Sequence, residues 1–133
     1  MPRVEKSNNQ LNQHTMENKE FAKQLEKRTK IFSITIIKLS CSLPNTPESR
    51  VIRNQITKSG TSVGANYREA NRARSKADFS NKISIAESEA IETVYWLEII
   101  EELEWMDIQT IQNTMKEANE LLAIFTSIGK NMK

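Results

Sequence analysis

The chain has almost none of the residues that interrupt a fold or brace it covalently. Its one cysteine, Cys41, has no partner for an intramolecular disulfide and fits a reducing compartment. Three glycines and three prolines in 133 residues leave little material for a turn-rich β architecture and favour long helices. No apolar run approaches the roughly 20 residues of a membrane helix, and the N-terminus lacks the charged-then-apolar pattern of a secretory signal. A cytoplasmic protein with no membrane partner is the expectation. The sole histidine, His14, leaves Ser-His-Asp and Cys-His arrangements without a base in the body of the chain. Zinc would lack its usual Cys/His ligands, and no glycine loop follows a strand-like segment to cradle a phosphate. No cofactor and no enzymatic activity are expected.

What is present is charge, unevenly divided. The net charge is only +2. Residues 1–74 nevertheless hold 14 Lys/Arg against 6 Asp/Glu, and residues 75–133 hold 5 against 11. Such a division means either one basic and one acidic surface, or mutual pairing of the two halves within or between subunits.

Residues 1–15, "MPRVEKSNNQLNQHT", are polar and aperiodic and read as a disordered tail. Met16, which opens the periodic pattern, is an alternative natural start, and the folded domain spans 16–133. Four amphipathic segments follow. The first runs from Met16 to Ser40 with Phe21, Leu25, Phe32, Ile36 and Leu39 along one side. After "SLPNTPES", Thr46 is the expected N-cap, with Pro47 and Glu48 in the first turn, and the second helix runs to about Asn71. Ser75 and Asp78 begin the third helix in the manner of a capping box. Its seam is Phe79, Ile83, Ala86, Ala90, Val94 and Leu97, with Tyr95, Trp96, Ile99 and Ile100 widening the apolar face. Asp107 caps the fourth, where Ile108, Ile111, Met115, Ala118, Leu122 and Phe125 repeat and Gly129 marks the end. Long helices with short links predict an all-α, antiparallel up-down-up-down four-helix bundle.

Gly60 and Gly64 lie inside the second helix, where glycine costs about 1 kcal/mol relative to alanine. On a wheel of about 100° per residue, Ile52, Ile56, Val63, Tyr67 and Ala70 form the core stripe. Arg50, Arg53, Lys58, Arg68 and Arg72 occupy the opposite side, with Arg74 and Lys76 extending them into the next turn. The glycines sit between, on one flank, joined by Ser59, Ser62 and Ala65. Two readings of this flank stand side by side: tight packing against a helix of the same chain, or a contact between subunits that also uses Trp96. The arginine arc is either a solvated face or a phosphate-binding stripe, for which arginine's planar donor fork is suited. Asn66, Glu69, Glu89 and Glu92 bring carboxylates together, but a di-metal bundle also needs Glu-x-x-His pairs. A structural polar network of Asn66, Glu69 and Glu92 is the expectation, and no metal. Cys41 is expected as a small packing residue.

The stretch "IRNQITKSGTSVGANYREANRARSKADFSNKISIAESEAIETVYWLEII" resembles the bacterial four-helix-bundle family of proteins encoded by intervening sequences in large-subunit ribosomal RNA genes. That family includes the accessory variability protein of diversity-generating retroelements. The resemblance rests on Ser59, Ser62, Ala65, Asn66 and Glu69 in the second helix, and on Arg74, Ser75, Asp78 and Phe79 in the turn. In the third helix it rests on Ile85, Ala86, Glu89, Glu92, Tyr95, Trp96 and Leu97. The sequence departs from the family at Glu69-Ala70, where many members have Glu-Gly, which suggests a longer second helix. It departs again at Arg68, where a small residue is common. The resemblance implies a cyclic homo-oligomer, typically a pentamer. For retroelement members it also implies binding to RNA or DNA and to a reverse transcriptase.

The function expected is therefore a non-catalytic, oligomeric nucleic-acid-binding protein. Arg50, Arg53, Lys58, Arg68 and Arg72 would meet phosphates, with Arg74 and Lys76 at the rim. Only Tyr67 interleaves the arc, and it belongs to the core, so base stacking is not expected. The alternative is a protein-interaction scaffold whose basic face meets an acidic protein surface, such as "EIIEELE" of a neighbouring subunit.

Overall fold

The computed structural model describes residues 2–132, with side chains described over 17–132. Four helices make up the fold: α1 Pro2–Cys41, α2 Pro47–Asn71, α3 Lys76–Glu102 and α4 Ile108–Asn131. No strand occurs among the described residues. The backbone of α1 reaches back to Pro2, through the polar stretch expected as a tail.

Each of the later helices starts where a side-chain oxygen can satisfy an otherwise orphan amide. Thr46 Oγ1 accepts from the Ser49 N–H at 3.1 Å, and Pro47 follows in the first turn. Ser75 Oγ accepts from the Asp78 N–H at 3.0 Å. Asp107 Oδ2 accepts from the Thr110 N–H at 2.9 Å and from its hydroxyl at 2.7 Å. The hydrogen bonds from Thr110 hold the Asp107 carboxyl below its ordinary range. α2 continues through Ala70 to Asn71 and ends on Arg72, whose N–H bonds the Glu69 carbonyl at 3.1 Å. A glycine at position 70 would have favoured an earlier stop.

One apolar core joins all four helices. Phe32 and Ile36 of α1, Ile56 and Val63 of α2, Ile83 and Leu97 of α3, and Leu121 and Phe125 of α4 are all nearly inaccessible to solvent. Tyr67 of α2 meets Phe125 of α4 edge-on, with centroids 5.5 Å apart, a geometry that favours the ring quadrupoles. Along the seams, Glu26 pairs with Arg68 and Asn71, and further up α1 Ile36 meets Gly60. Across the next seam Ser59 meets Thr93 and Glu69 meets Lys82. Partners thus rise on one helix as they fall on the other.

Four expectations do not hold. Phe21 is exposed, on the stretch of α1 beyond the level of Glu26, whose partner Asn71 is the last residue of α2. Ile108 is exposed as well, and the α4 seam instead runs Ile111, Thr114, Ala118, Leu121 and Phe125, with Trp105 and Met106 covering that end of the core. Gly129 does not end α4. The helix continues to Asn131, and no glycine has the positive φ of a helix stop. Cys41 is exposed rather than packed.

Candidate nucleic-acid interface

Because α2 is one continuous helix, its cations are strung along its length. Arg50 and Arg72 are separated by about 33 Å at 1.5 Å per residue, so the arc forms two groups with Lys58 between them. Arg50, Lys58, Arg68, Arg72, Arg74 and Lys76 are all exposed. Arg53 is only half-buried, and its Nη2 donates to the Pro44 carbonyl at 2.8 Å. It braces the α1–α2 link, so its fork is partly spent. Arg68 Nε lies 3.6 Å from Glu26 Oε1, and Glu26 Oε2 accepts from Asn71 Nδ2 at 2.9 Å. That carboxylate offsets part of the Arg68 charge. Among the described residues Arg50, Arg72, Arg74 and Lys76 form no ion pair. Three of the four cluster where α2 turns into α3.

α1 adds cations that the arc on α2 did not include. Lys23, Lys27 and Lys30 are exposed at helical spacing. Lys30 and Arg68 border an open groove of about 300 Å³ between α1 and α2, floored by Thr29, Ser33, Gly64 and Ala65, with Glu26 beside them. The 4-3 spacing of these lysines was visible in the sequence. What was missing was which side of α1 lies beside α2.

Gly60 and Gly64 are both buried against α1 of the same chain. A Cβ on Gly60 would stand 2.8 Å from Ile36 Cγ2, and one on Gly64 would stand 3.0 Å from Thr29 Oγ1. The absence of side chains is what lets the two helices approach. Ala65 is exposed at the groove. Trp96 is half-buried, edge-on to Tyr95 at 5.0 Å, and its Nε1 donates to Glu92 Oε1 at 3.4 Å.

The expected polar network of Asn66, Glu69 and Glu92 does not assemble. Asn66 Nδ2 turns back to the Ser62 carbonyl at 2.8 Å. Glu69 faces Lys82 at 3.8 Å, and Glu92 faces Trp96. Asn66 and Glu92 find partners on their own helices, and Glu69 finds one across the seam on α3. In place of this network a buried hydroxyl pair links α2 and α3, with Thr93 Oγ1 donating to Ser59 Oγ at 2.9 Å. Nearby, burial pushes the Glu89 carboxyl above its ordinary value. The Glu92 charge adds to that rise, while Lys58 opposes it. No group of three or more potential metal ligands occurs among the described residues, and no helix among them is long and apolar enough to cross a membrane.

A four-helix all-α chain with cations grouped at one helix end describes a class of protein, and comparison with known proteins narrows it. The model of the 23S rRNA-intervening sequence protein family matches residues 23–127, and the chain belongs to that family. Among solved structures it is similar to a protein of unknown function from the S23 ribosomal protein family of Bacteroides thetaiotaomicron. The two are 38% identical over 79% of this chain and 97% of that one, with a TM-score of 0.74. No curated protein matches the sequence.

Proposed function

We propose that the protein is a non-catalytic, cytoplasmic homo-oligomer that binds the phosphate backbone of RNA or DNA. The observation carrying this reading is the group Arg72, Arg74 and Lys76, which is exposed and without ion pairs among the described residues. Lys23, Lys27 and Lys30 of α1 add to the positive field on the same half of the molecule. Phosphate contacts of this kind give affinity and position without reading bases. The family's name associates its members with intervening sequences of 23S rRNA, which favours RNA as the ligand. For a retroelement member, a reverse transcriptase would be the protein partner. The opposed order of partners along α1/α2 and α2/α3 supports an antiparallel up-down-up-down bundle, and family resemblance favours five subunits.

Filter binding at low salt tests the reading. Charge reversal at Arg50, Arg72, Arg74 and Lys76 is expected to abolish retention of RNA while leaving helicity and subunit number unchanged. Equal retention by wild type and variant would remove the basic face from the account. It would favour the scaffold reading, in which an acidic protein surface is the partner.

A further inference from the structure

Two outward faces of the molecule carry large apolar side chains that stay about half exposed. On α1, Ile31, Ile34 and Ile37 are 54%, 44% and 42% exposed; on α3, Ile91 and Tyr95 are 53% and 55% exposed. At about 100° per residue, the α1 group centres on Ile34, opposite the core side of its helix, and the exposed Lys30 and Lys38 share its arc. The α3 group likewise lies opposite the core residues of its helix and shares its arc with the exposed Glu98. Glu87 lies at its edge. Residues 83–115 contain eight Asp/Glu and no Lys/Arg, so α3 itself brings only acids to its outward face, with Lys130 of α4 lining a recess beside Glu87, whereas the α1 face is bordered by lysines of its own helix.

The two faces stand at the same height. Neighbouring residues of α2 fix this: Gly60 meets Ile36 of α1, and Ser59 meets Thr93 of α3. Ile36 and Thr93 are therefore level, and both helices run counter to α2. Ile34 and Ile91 each lie two positions before those markers, and Lys30 and Glu87 each lie six before. Lys38 and Glu98 differ by three positions, about 4.5 Å in height, within reach of a lysine side chain. Beside Glu98, a recess of about 200 Å³ is lined by Tyr95, Ile99 and Glu102. It can take a lysine stem along its apolar wall.

Building on the oligomer reading above, we propose that the α1 face of one copy docks on the α3 face of the next. Ile31, Ile34 and Ile37 would pack on Ile91 and Tyr95, with Lys38 beside Glu98. Pairing of like faces would set lysine against lysine or carboxylate against carboxylate, which electrostatic complementarity opposes. A head-to-tail contact repeats until it closes a ring or extends a filament. Matched heights put no rise along the helix axis into each step, so the copies lie side by side in one layer. All copies then point the same way, and Arg72, Arg74 and Lys76 of every copy gather on one side of it.

Native mass spectrometry of the full chain tests the assignment. Ile34→Asp and Tyr95→Asp both replace exposed residues, so circular dichroism should remain helical for each. Each is expected to weaken assembly about tenfold or more. Lys38→Glu and Glu98→Lys should each weaken it as well, and the combined Lys38→Glu/Glu98→Lys chain should recover it. A monomeric wild type would overturn the oligomer reading and this proposal together. An oligomeric wild type with either Ile34→Asp or Tyr95→Asp still fully assembled would overturn the face assignment alone. The absence of recovery in the doubly exchanged chain would overturn the Lys38–Glu98 pairing.

Discussion

Gly60 lies so close under Ile36 that a β-carbon built on it would stand 2.8 Å from Cγ2 and 2.9 Å from Cγ1. Ile36 is fully buried, and its β-branched side chain has little freedom to move aside. Gly60→Ala should therefore gain helix propensity of about 1 kcal/mol and lose more, about 1–3 kcal/mol, to overpacking. A lower urea midpoint with unchanged slope is the expected result. Gly129 has nothing within 4 Å of the same position, so Gly129→Ala should leave stability unchanged or raise it by a few tenths of a kcal/mol. Chemical denaturation of the two variants side by side separates packing from propensity.

Arg28 ties α1 to α4. Its Nε donates to Glu117 Oε2 at 2.8 Å and its Nη2 to Oε1 at 2.6 Å, with Glu120 at 3.5 Å. The hydrogen bond to Glu117 raises the guanidinium pKa against the lowering effect of partial burial. The pair is about one-third exposed on each side, so solvent screens it. A double-mutant cycle with Arg28→Ala and Glu117→Ala should give a coupling below about 1 kcal/mol that shrinks with added salt. Arg28→Lys should lose most of it, because the two-pronged geometry needs the planar fork.

Glu89 makes stability depend on pH. Its folded-state pKa is raised above the ordinary 4.5 by burial first and by Glu92 second. The folded state therefore holds the proton more tightly than the unfolded chain does. Stability falls as pH rises from the ordinary value through the raised one. Glu89→Gln is expected to raise the melting temperature near neutral pH, and the gain should vanish below pH 4.5, where both forms are uncharged. A gain independent of pH would assign the effect to packing instead.

The Thr93 hydroxyl spans the α2–α3 seam to Ser59 and also lies 2.8 Å from the Glu89 carbonyl. Thr93→Val keeps the shape and removes the donor. A loss of about 1 kcal/mol is expected from thermal denaturation, with Ser59 retaining the Ile56 carbonyl at 3.3 Å.

The starts of α2, α3 and α4 were legible because caps are local chemistry: Thr46, Ser75 and Asp107 each act within three residues of themselves. The exposure of Phe21 and Ile108 was not legible, since it depends on how segments distant in sequence lie around each position. The Asn66–Glu69–Glu92 network failed for a similar reason. A wheel shows which residues share a side, but it does not show that Asn66 has its own Ser62 carbonyl in reach. The cation arc was visible as a pattern, whereas the engagement of Arg53 by Pro44 and of Arg68 by Glu26 depends on contacts between segments distant in sequence.

The central claim, a phosphate-binding surface at the α2–α3 end, is tested most directly by fluorescence anisotropy of labelled single-stranded RNA across a salt series. Wild type is compared with the chain carrying Arg72→Glu, Arg74→Glu and Lys76→Glu at equal oligomeric mass. Affinity should fall linearly with the logarithm of salt, each phosphate contact contributing a slope of about 0.7, and the variant should lose both affinity and slope. Binding that is indifferent to salt, or equal in wild type and variant, would contradict it.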